Sequence, residues 1–395
     1  MDYFKFFKDT NGETKKINKK RVIKFSAIII TICMLITICI LYLVNLNFRT
    51  FFDKYILRKE LTENTLATIK IEESTNPNIY AYNKNIAILD KNVLKIYNTS
   101  GKEESSLDII AINPIFASNN RYLAVAEKNG QTIYIISDGN IIWQKDIEGN
   151  ISNINVNKNG YVSLVVTGTS YKTVVVTLDS KGTELFKTFL NTNVISTDIS
   201  NDNKFLAIAE ANFSGTLIQS NIKILSLEKA KTLPKEAIQY NHKLESNSLV
   251  ANLKYQDKNK LICLTDNGIY SIQEDNINKI LDFNTEKTIF SDINLTNNII
   301  NVTQKSSGIF STETTIKIIN VNNNKESVYS FNGSPKAIYA NDNVIGINIG
   351  SEAIFIGTNG WLIKKYISSQ GIKNVVMCNE IAGIIYKNKI ELINL

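Results

Sequence analysis

Ser118-Asn119-Asn120-Arg121-Tyr122-Leu123-Ala124-Val125-Ala126-Glu127 reappears 83 residues later as Asn201-Asp202-Asn203-Lys204-Phe205-Leu206-Ala207-Ile208-Ala209-Glu210. In both copies a polar turn feeds an apolar strand that ends on glutamate. Between them, Asn157-Lys158-Asn159-Gly160-Tyr161-Val162-Ser163-Leu164-Val165-Val166 has the same turn and the same kind of strand. The repeat is therefore about 40 residues long.

Outward from these three copies, the first strand residue after each such turn is Ile86, Tyr122, Tyr161, Phe205, Leu261, Ile299, Val344 and Ile381. The steps are 36, 39, 44, 56, 38, 45 and 37 residues. The long step holds an insertion around Glu228–Asn247, which contains Pro234 and has a polar, helix-tolerant composition. From about Leu66 onward, short β-branched and aromatic runs are cut by Asn, Asp, Gly and Ser, the pattern of short strands joined by tight turns. Four strands in a unit of roughly 40–45 residues is the signature of a propeller blade, and one blade alone cannot bury both faces of its sheet. The expected fold is an all-β, β-propeller domain of eight blades, with seven as the alternative.

The last unit supplies only three strands, Lys373–Cys378, Ile381–Tyr386 and Lys389–Asn394, before the chain reaches Leu395. A spare strand, Leu66–Ile71, stands at the start. Its insertion into the last blade would close the ring and leave no open sheet edge.

The passages Asp138-Gly139-Asn140-Ile141-Ile142-Trp143, Gly182-Thr183-Glu184-Leu185-Phe186 and Gly357-Thr358-Asn359-Gly360-Trp361 resemble the Gly-x-x-x-Trp docking turns of quinoprotein-like propellers, with WD-repeat-like blade length. The first is a full match, and the second has Phe in place of Trp. The whole layout resembles an uncharacterised family of single-pass propeller proteins from Gram-positive, chiefly clostridial, bacteria. That resemblance covers nearly the full chain and implies a fold and a topology but no activity. Heavy use of Asn, Ile and Lys with little Trp fits an AT-rich bacterial genome.

Between Lys24 and Arg49, residues 25–48 carry no charge and are dominated by Ile, Leu and Val. At about 1.5 Å per residue this run reaches roughly 36 Å, enough to cross a hydrocarbon core of about 30 Å. Signal peptides have shorter apolar cores of about 7–15 residues and a small-x-small cleavage site, whereas Leu43-Val44-Asn45-Leu46-Asn47-Phe48 follows here. A retained transmembrane helix is expected. Residues 1–24 hold eight Lys/Arg against three acids, and residues 49–66 hold four Lys/Arg, so the N-terminal tail is expected on the cytoplasmic side. The predicted organisation is a basic cytoplasmic tail (1–24), the membrane helix (25–48), a juxtamembrane stalk (49–65) with a short amphipathic helix near Phe51–Leu61, and an extracytoplasmic propeller (66–395). The tail accounts for +5 of the net charge of +7, leaving 36 basic and 34 acidic residues elsewhere. A clustered basic face for nucleic acid is absent.

Catalytic signatures are equally sparse. His242 is the sole histidine, placed by its neighbours Tyr240-Asn241-His242-Lys243 among surface-type residues of the insertion. Any Ser-His-Asp or Cys-His arrangement would have to use it. Cys33 and Cys39 lie in the membrane run, while Cys263 and Cys378 fall in units five and eight, which are not neighbours in the ring. Free thiols are expected. Asn201-Asp202-Asn203 and Asn341-Asp342-Asn343 offer oxygens to calcium but also sit where hairpin turns need residues tolerant of left-handed backbone. No phosphate-binding glycine loop occurs, and no cofactor or metal is expected.

The connections Thr167–Lys172, Ala209–Asn221 and Thr303–Thr314 read as long, Ser/Thr/Gly-rich loops on one face of the ring. Within them Thr169, Tyr171, Phe213, Thr216, Phe310 and Thr312 are the candidate contact residues, with Phe213 and Phe310 as exposed anchors. The expected function is a membrane-tethered, non-enzymatic binding or scaffolding module for a protein or cell-wall partner. The rival is a lyase, hydrolase or quinone-dependent oxidoreductase working in the central channel. An enzyme should gather ionisable side chains at the channel mouth, and a scaffold should line the channel with backbone and small side chains.

Overall fold

The computed structural model describes residues 19–57, 60–61, 65–72, 77–245, 247–256, 260–285, 287–306, 312–378 and 381–395. Most of the basic tail and Phe310 thus lie outside the described residues. The chain divides into two compact units, Met1–Arg58 and Lys59–Leu395.

The first unit is an apolar helix, Lys19–Val44, within which Val22–Val44 is long and apolar enough to cross a membrane. It ends at Val44, four residues short of the predicted end at Phe48. Asn45 leaves helical backbone (φ −101°), and its side-chain oxygen accepts the Phe48 N–H at 3.0 Å, which starts a second helix, Leu46–Phe51. A π-type turn, Phe52–Ile56, ends that helix. The Tyr42 hydroxyl donates to Asp53 at 2.8 Å, tying the two helices together.

The second unit is built of eight antiparallel sheets. The second strands of the eight blades begin at Asn85, Tyr122, Val162, Phe205, Leu261, Asn298, Val344 and Ile381, each within one residue of its anchor in the sequence. In blade 2, for example, the order from the channel outward is Pro114–Asn119, Tyr122–Glu127, Thr132–Ser137 and Asn140–Asp146. Blade 8 takes Asn374–Cys378, Ile381–Ile385 and Lys389–Asn394 from the C-terminus and Ala67–Lys70 from the N-terminal side of the domain. Ala67 pairs with Leu392 and Ile69 with Ile390, so the ring is closed as the strand count predicts. A two-residue strand inside the predicted stalk, Glu60–Leu61, adds in parallel to the outer edge of blade 7.

Alternation along one strand explains why no blade stands alone. Tyr122, Ala124 and Ala126 of blade 2 join Ile151, Ile154, Val156 and Leu164 of blade 3 in one core cluster. Leu123 and Val125, the residues between them, join Tyr82, Leu89, Leu94 and Ile96 of blade 1 in another. Successive side chains of a strand point to opposite faces, so each face packs on a different neighbour. The eighth such interface carries Ile69, Cys378, Ile381, Ile390 and Leu392 of blade 8 against Ala81, Ile86 and Ile88 of blade 1.

The outer rim is keyed by glycines. A bulge between Ile141 and Trp143 turns the indole toward blade 3, where Nε1 donates to the Ser180 carbonyl at 3.0 Å. Gly182 lies beneath the ring with φ +79°, and a Cβ there would stand 2.9 Å from it. Gly139 meets Ser105 of blade 1 and Gly360 meets Val328 of blade 6 in the same relation. Trp361 is not such a key: it is 38 % exposed and directly follows the docking glycine.

Two outcomes are expected. Gly182→Ala combines a left-handed backbone with a steric conflict and should cost about 1–3 kcal/mol, while Trp143→Ala should cost roughly 2–4 kcal/mol, both read from urea unfolding midpoints. A chain beginning at residue 72 should lose the blade-8 closing strand and aggregate through its open Lys389–Asn394 edge in size-exclusion chromatography, whereas one beginning at residue 59 should remain soluble.

Candidate functional site

Because every blade is antiparallel, the turns joining its first and second strands all leave one face of the ring. The loops joining second and third strands leave the opposite face. These are called here the turn face and the loop face.

The loop face carries the residues anticipated from sequence, with its loops shorter than expected. Phe205–Asn212 and Gln219–Ser226 remain paired as far as Asn212 opposite Gln219, so the connection is only residues 213–218 rather than Ala209–Asn221. Likewise Asn298–Ser306 and Thr312–Asn320 pair as far as Ser306 opposite Thr312, which puts Thr312 in a strand. Consecutive residues Ala209, Glu210 and Ala211 are buried and so is Ser220 opposite, and that burial carries the pairing outward despite the polar composition. Thr169 closes its own loop by exchanging 3.2 Å hydrogen bonds with the backbone N–H and carbonyl of Tyr171. The Tyr171 ring packs at 4.8 Å against Phe189, and both are exposed. Phe213, Thr216 and Leu217 are exposed in the neighbouring blade. Phe189 and Leu217 were not singled out from sequence, because a strand residue and a loop leucine carry no local mark of exposure.

The turn face holds what sequence reasoning missed. The innermost strands meet around the channel, where their backbone edges are not paired into a sheet. Asparagine amides bridge them: Asn155 donates to the Thr197 carbonyl at 2.9 Å, Asn157 to Ser200 at 3.1 Å and Asn159 to Asn201 at 2.9 Å. Further round, Gln256 donates to Ile293 at 2.7 Å and Asn341 to Met377 at 2.8 Å. The first-to-second turns use left-handed residues, Asn83, Asn120, Gly160, Asn203, Asn297 and Asp342, in every blade whose turn is described. That geometry accounts for the Asn/Asp clusters as turn formers.

These turns and strands enclose a cavity of about 780 Å³ to which all eight blades contribute. Its charged lining is Lys84, Lys158, Lys254 and Asp342, with Asn, Tyr, Ser and Thr side chains between them. The channel mouth therefore differs from the small-side-chain lining expected of a scaffold. Among the described residues two of its hydroxyls are bonded, Ser118 to Tyr80 at 3.5 Å and Tyr339 to Asn374, and neither partner is a histidine or carboxylate.

Lys254, on the innermost strand Val250–Tyr255, faces a partly buried set of aspartates. Burial raises the carboxyls of Asp198, Asp292 and Asp342 above the usual range, and the positive charge of Lys254 opposes that rise in each case. Asp198 is 3 % exposed and accepts the Tyr255 N–H at 2.6 Å. Asp292 accepts both the N–H and the side-chain amide of Asn294, at 2.6 and 3.0 Å. Among the described residues Lys254 itself forms no ion pair.

The remaining candidates lie elsewhere. His242 is buried, not on the surface: the insertion folds as a helix, Leu227–Thr232, and then returns as Ile238–Lys243, the outermost strand of blade 4, where His242 pairs with Ile222. Its Nε2 has no hydrogen-bond partner, and it stacks beside Tyr240 at 6.4 Å. Cys263 and Cys378 are buried free thiols, and burial pushes the Cys263 thiol far up, away from reactivity.

Against known sequences, the model of a "Family of unknown function (DUF5711)" matches residues 57–395. The chain belongs to this family. No curated protein sequence matches it. Among solved structures, this chain is similar to hydrazine synthase of Kuenenia stuttgartiensis at 8 % identity and TM-score 0.42, over 85 % of this chain and 97 % of that one. The Pan2 WD40 domain of Neurospora crassa matches at 9 % identity and TM-score 0.44, over 83 % and 94 %. Hsv2 of Kluyveromyces lactis matches at 13 % and 0.44, over 71 % and 93 %. At these scores the blade count rests on the strand pairing of this chain alone.

Asp198 provides a test of the electrostatics. Asp198→Ala leaves the buried Tyr255 N–H without an acceptor and should cost about 1–3 kcal/mol, whereas Asp198→Asn keeps an acceptor. A carboxyl raised by burial holds its proton more tightly folded than unfolded, so wild type should gain stability relative to Asp198→Asn as pH falls through the raised value. The gain should be complete below about 3.9, the ordinary aspartate value. Urea titrations of the two proteins across that range give the comparison.

Proposed function

We propose that this protein is a non-enzymatic binding or scaffolding module, held by its N-terminal helix in the cytoplasmic membrane of a Gram-positive cell with the propeller outside. One observation carries the reading: a closed ring presents exposed large apolar side chains on the loop face of two neighbouring blades, the stacked Tyr171 and Phe189 on one and Phe213 and Leu217 on the next. Large apolar groups cost free energy in water unless a partner covers them, and loops on a rigid scaffold are where binding residues concentrate. The partner is a protein or cell-wall component.

Retention of the helix is supported by the length of its apolar span, 23 residues from Val22 to Val44, which exceeds a signal-peptide core. The outward orientation is supported by the eight basic residues of the tail. The stacking of Trp143 over Gly182 supports kinship with the blades of quinoprotein-like propellers. A second reading, an enzyme working in the channel, draws on the Lys254 cluster, but the cavity hydroxyls lack the bonded base that nucleophilic catalysis needs.

Orientation is tested with Ser214→Cys, since the native thiols are buried or lie in the apolar helix. A membrane-impermeant maleimide should label it on intact cells, and labelling only after lysis would reverse the topology. A photo-crosslinking residue at Tyr171 or Phe213 should trap a discrete adduct that the same residue at Lys181, on the turn face, does not. Identical patterns at all three sites would remove the loop face as the binding surface.

A further inference from the structure

We propose that the turn-face cavity is a binding site for a small polyhydroxylated anion, a sugar bearing a carboxylate or phosphate, held by Lys158 and Lys254. This deepens the binding-module reading and rests on it, while placing a second ligand site on the face opposite the aromatic loops.

Size and enclosure come first. A volume of about 780 Å³ walled by all eight blades lies within the roughly 300–1,000 Å³ typical of small-molecule sites. It is set in a fixed ring, so little ordering is required on binding.

Charge selects the sign of the ligand. Three lysines line the cavity against one aspartate, Asp342. Asp198 and Asp292, in the wall beside Lys254, already have carboxylate oxygens occupied by amide donors at 2.6 Å. Burial raises both carboxyls above the usual aspartate range, with Lys254 and the amide donors opposing that rise. Lys254 lies on an inner strand with no ion pair among the described residues, and Lys158 stands exposed in its turn at the cavity rim. Converging lysines inside low-dielectric walls focus a positive potential on the mouth.

Hydrogen bonding selects the rest of the ligand. A side-chain amide offers both donors and an acceptor, which matches a hydroxyl that needs both. Asn155, Asn157, Asn159 and Asn341 spend their amides on carbonyls of the next blade. Asn83, Asn119 and Asn120, in the turns of blades 1 and 2, line the cavity without such a bridge. An anion alone would need only the lysines, and these amides add the complement to a polyol.

The test is isothermal titration of the full chain in lipid nanodiscs with four probes: glucuronate, glucose 6-phosphate, glucose and inorganic phosphate. At least one charged sugar should bind at least tenfold more tightly than glucose and than inorganic phosphate, and the preferred one of the two tells carboxylate from phosphate. Lys254→Met and Lys158→Met should each weaken that binding, Lys254→Met by tenfold or more, and Lys254→Arg should restore most of it. Lys158→Met separates lost binding from lost folding, because its side chain is exposed in a turn. Lys235→Met, on the exposed insertion, should change nothing. Equal binding of glucose, equal binding of inorganic phosphate, no binding of any probe, or unchanged affinity in both lysine variants would each overturn the assignment. If the probes fail while loop-face crosslinks still form, the module reading stands and only this site falls. If the crosslinks fail while the probes bind, the reverse holds.

Discussion

Every blade of this propeller is apolar on both faces of its sheet, so the free energy of burial is released only when a neighbour stands on either side. A strand such as Thr173–Leu178, with all six residues buried, has no solvent face at all. Such a structure has no natural end, and an open ring would leave two apolar sheets in water. Closure is therefore the constraint on which everything else depends. It is met by pairing Ala67–Lys70 with Lys389–Asn394, residues from opposite ends of the domain. The core cluster between blades 8 and 1 draws on Ile69 as well as Ile390 and Leu392, so the closing strand supplies packing in addition to hydrogen bonds.

Closure has a second cost, at the centre. Eight innermost strands converge with their edges toward one another, and backbone groups there cannot complete a ladder. The chain answers at several gaps with side-chain amides that reach across, Asn155 to Thr197 and Asn157 to Ser200 among them. An axis lined with amides stays polar and hydrated. Charged groups such as Lys254 and Asp198 can then sit near it, at the expense of shifted carboxyl equilibria. The chemistry of the channel mouth follows from how the ring is held together.

The fold was legible to within a residue at each anchor because turn chemistry and burial agree there. Asn120, Asn203 and Asp342 adopt left-handed backbone where the repeated Asn/Asp motif anticipates a turn. Legibility failed where they disagree. Ala209–Asn221 is polar and Gly-containing, yet tertiary burial of Ala211 and Ser220 extends the hairpin through most of it. His242 sits among polar neighbours, yet the insertion returns as an edge strand whose inner face is covered. The apolar run 25–48 ends early because one asparagine caps a new helix, a local event that hydropathy averages away.

Of the candidate site, Tyr171, Phe213 and Thr216 could be named in advance, since loop residues owe their exposure to local sequence. By itself the sequence determined the repeat, the closing strand and the apolar helix, all of which are periodic or contiguous properties of the chain, while the choice of eight blades over seven came from the strand pairing. Tertiary structure alone decided which residues share the cavity: Lys84, Lys158, Lys254 and Asp342 stand in blades 1, 3, 5 and 7 and become neighbours only when the ring brings its inner strands to a common axis. No spacing along the chain encodes that meeting, because it depends on how many blades close and at what angle each packs on the next.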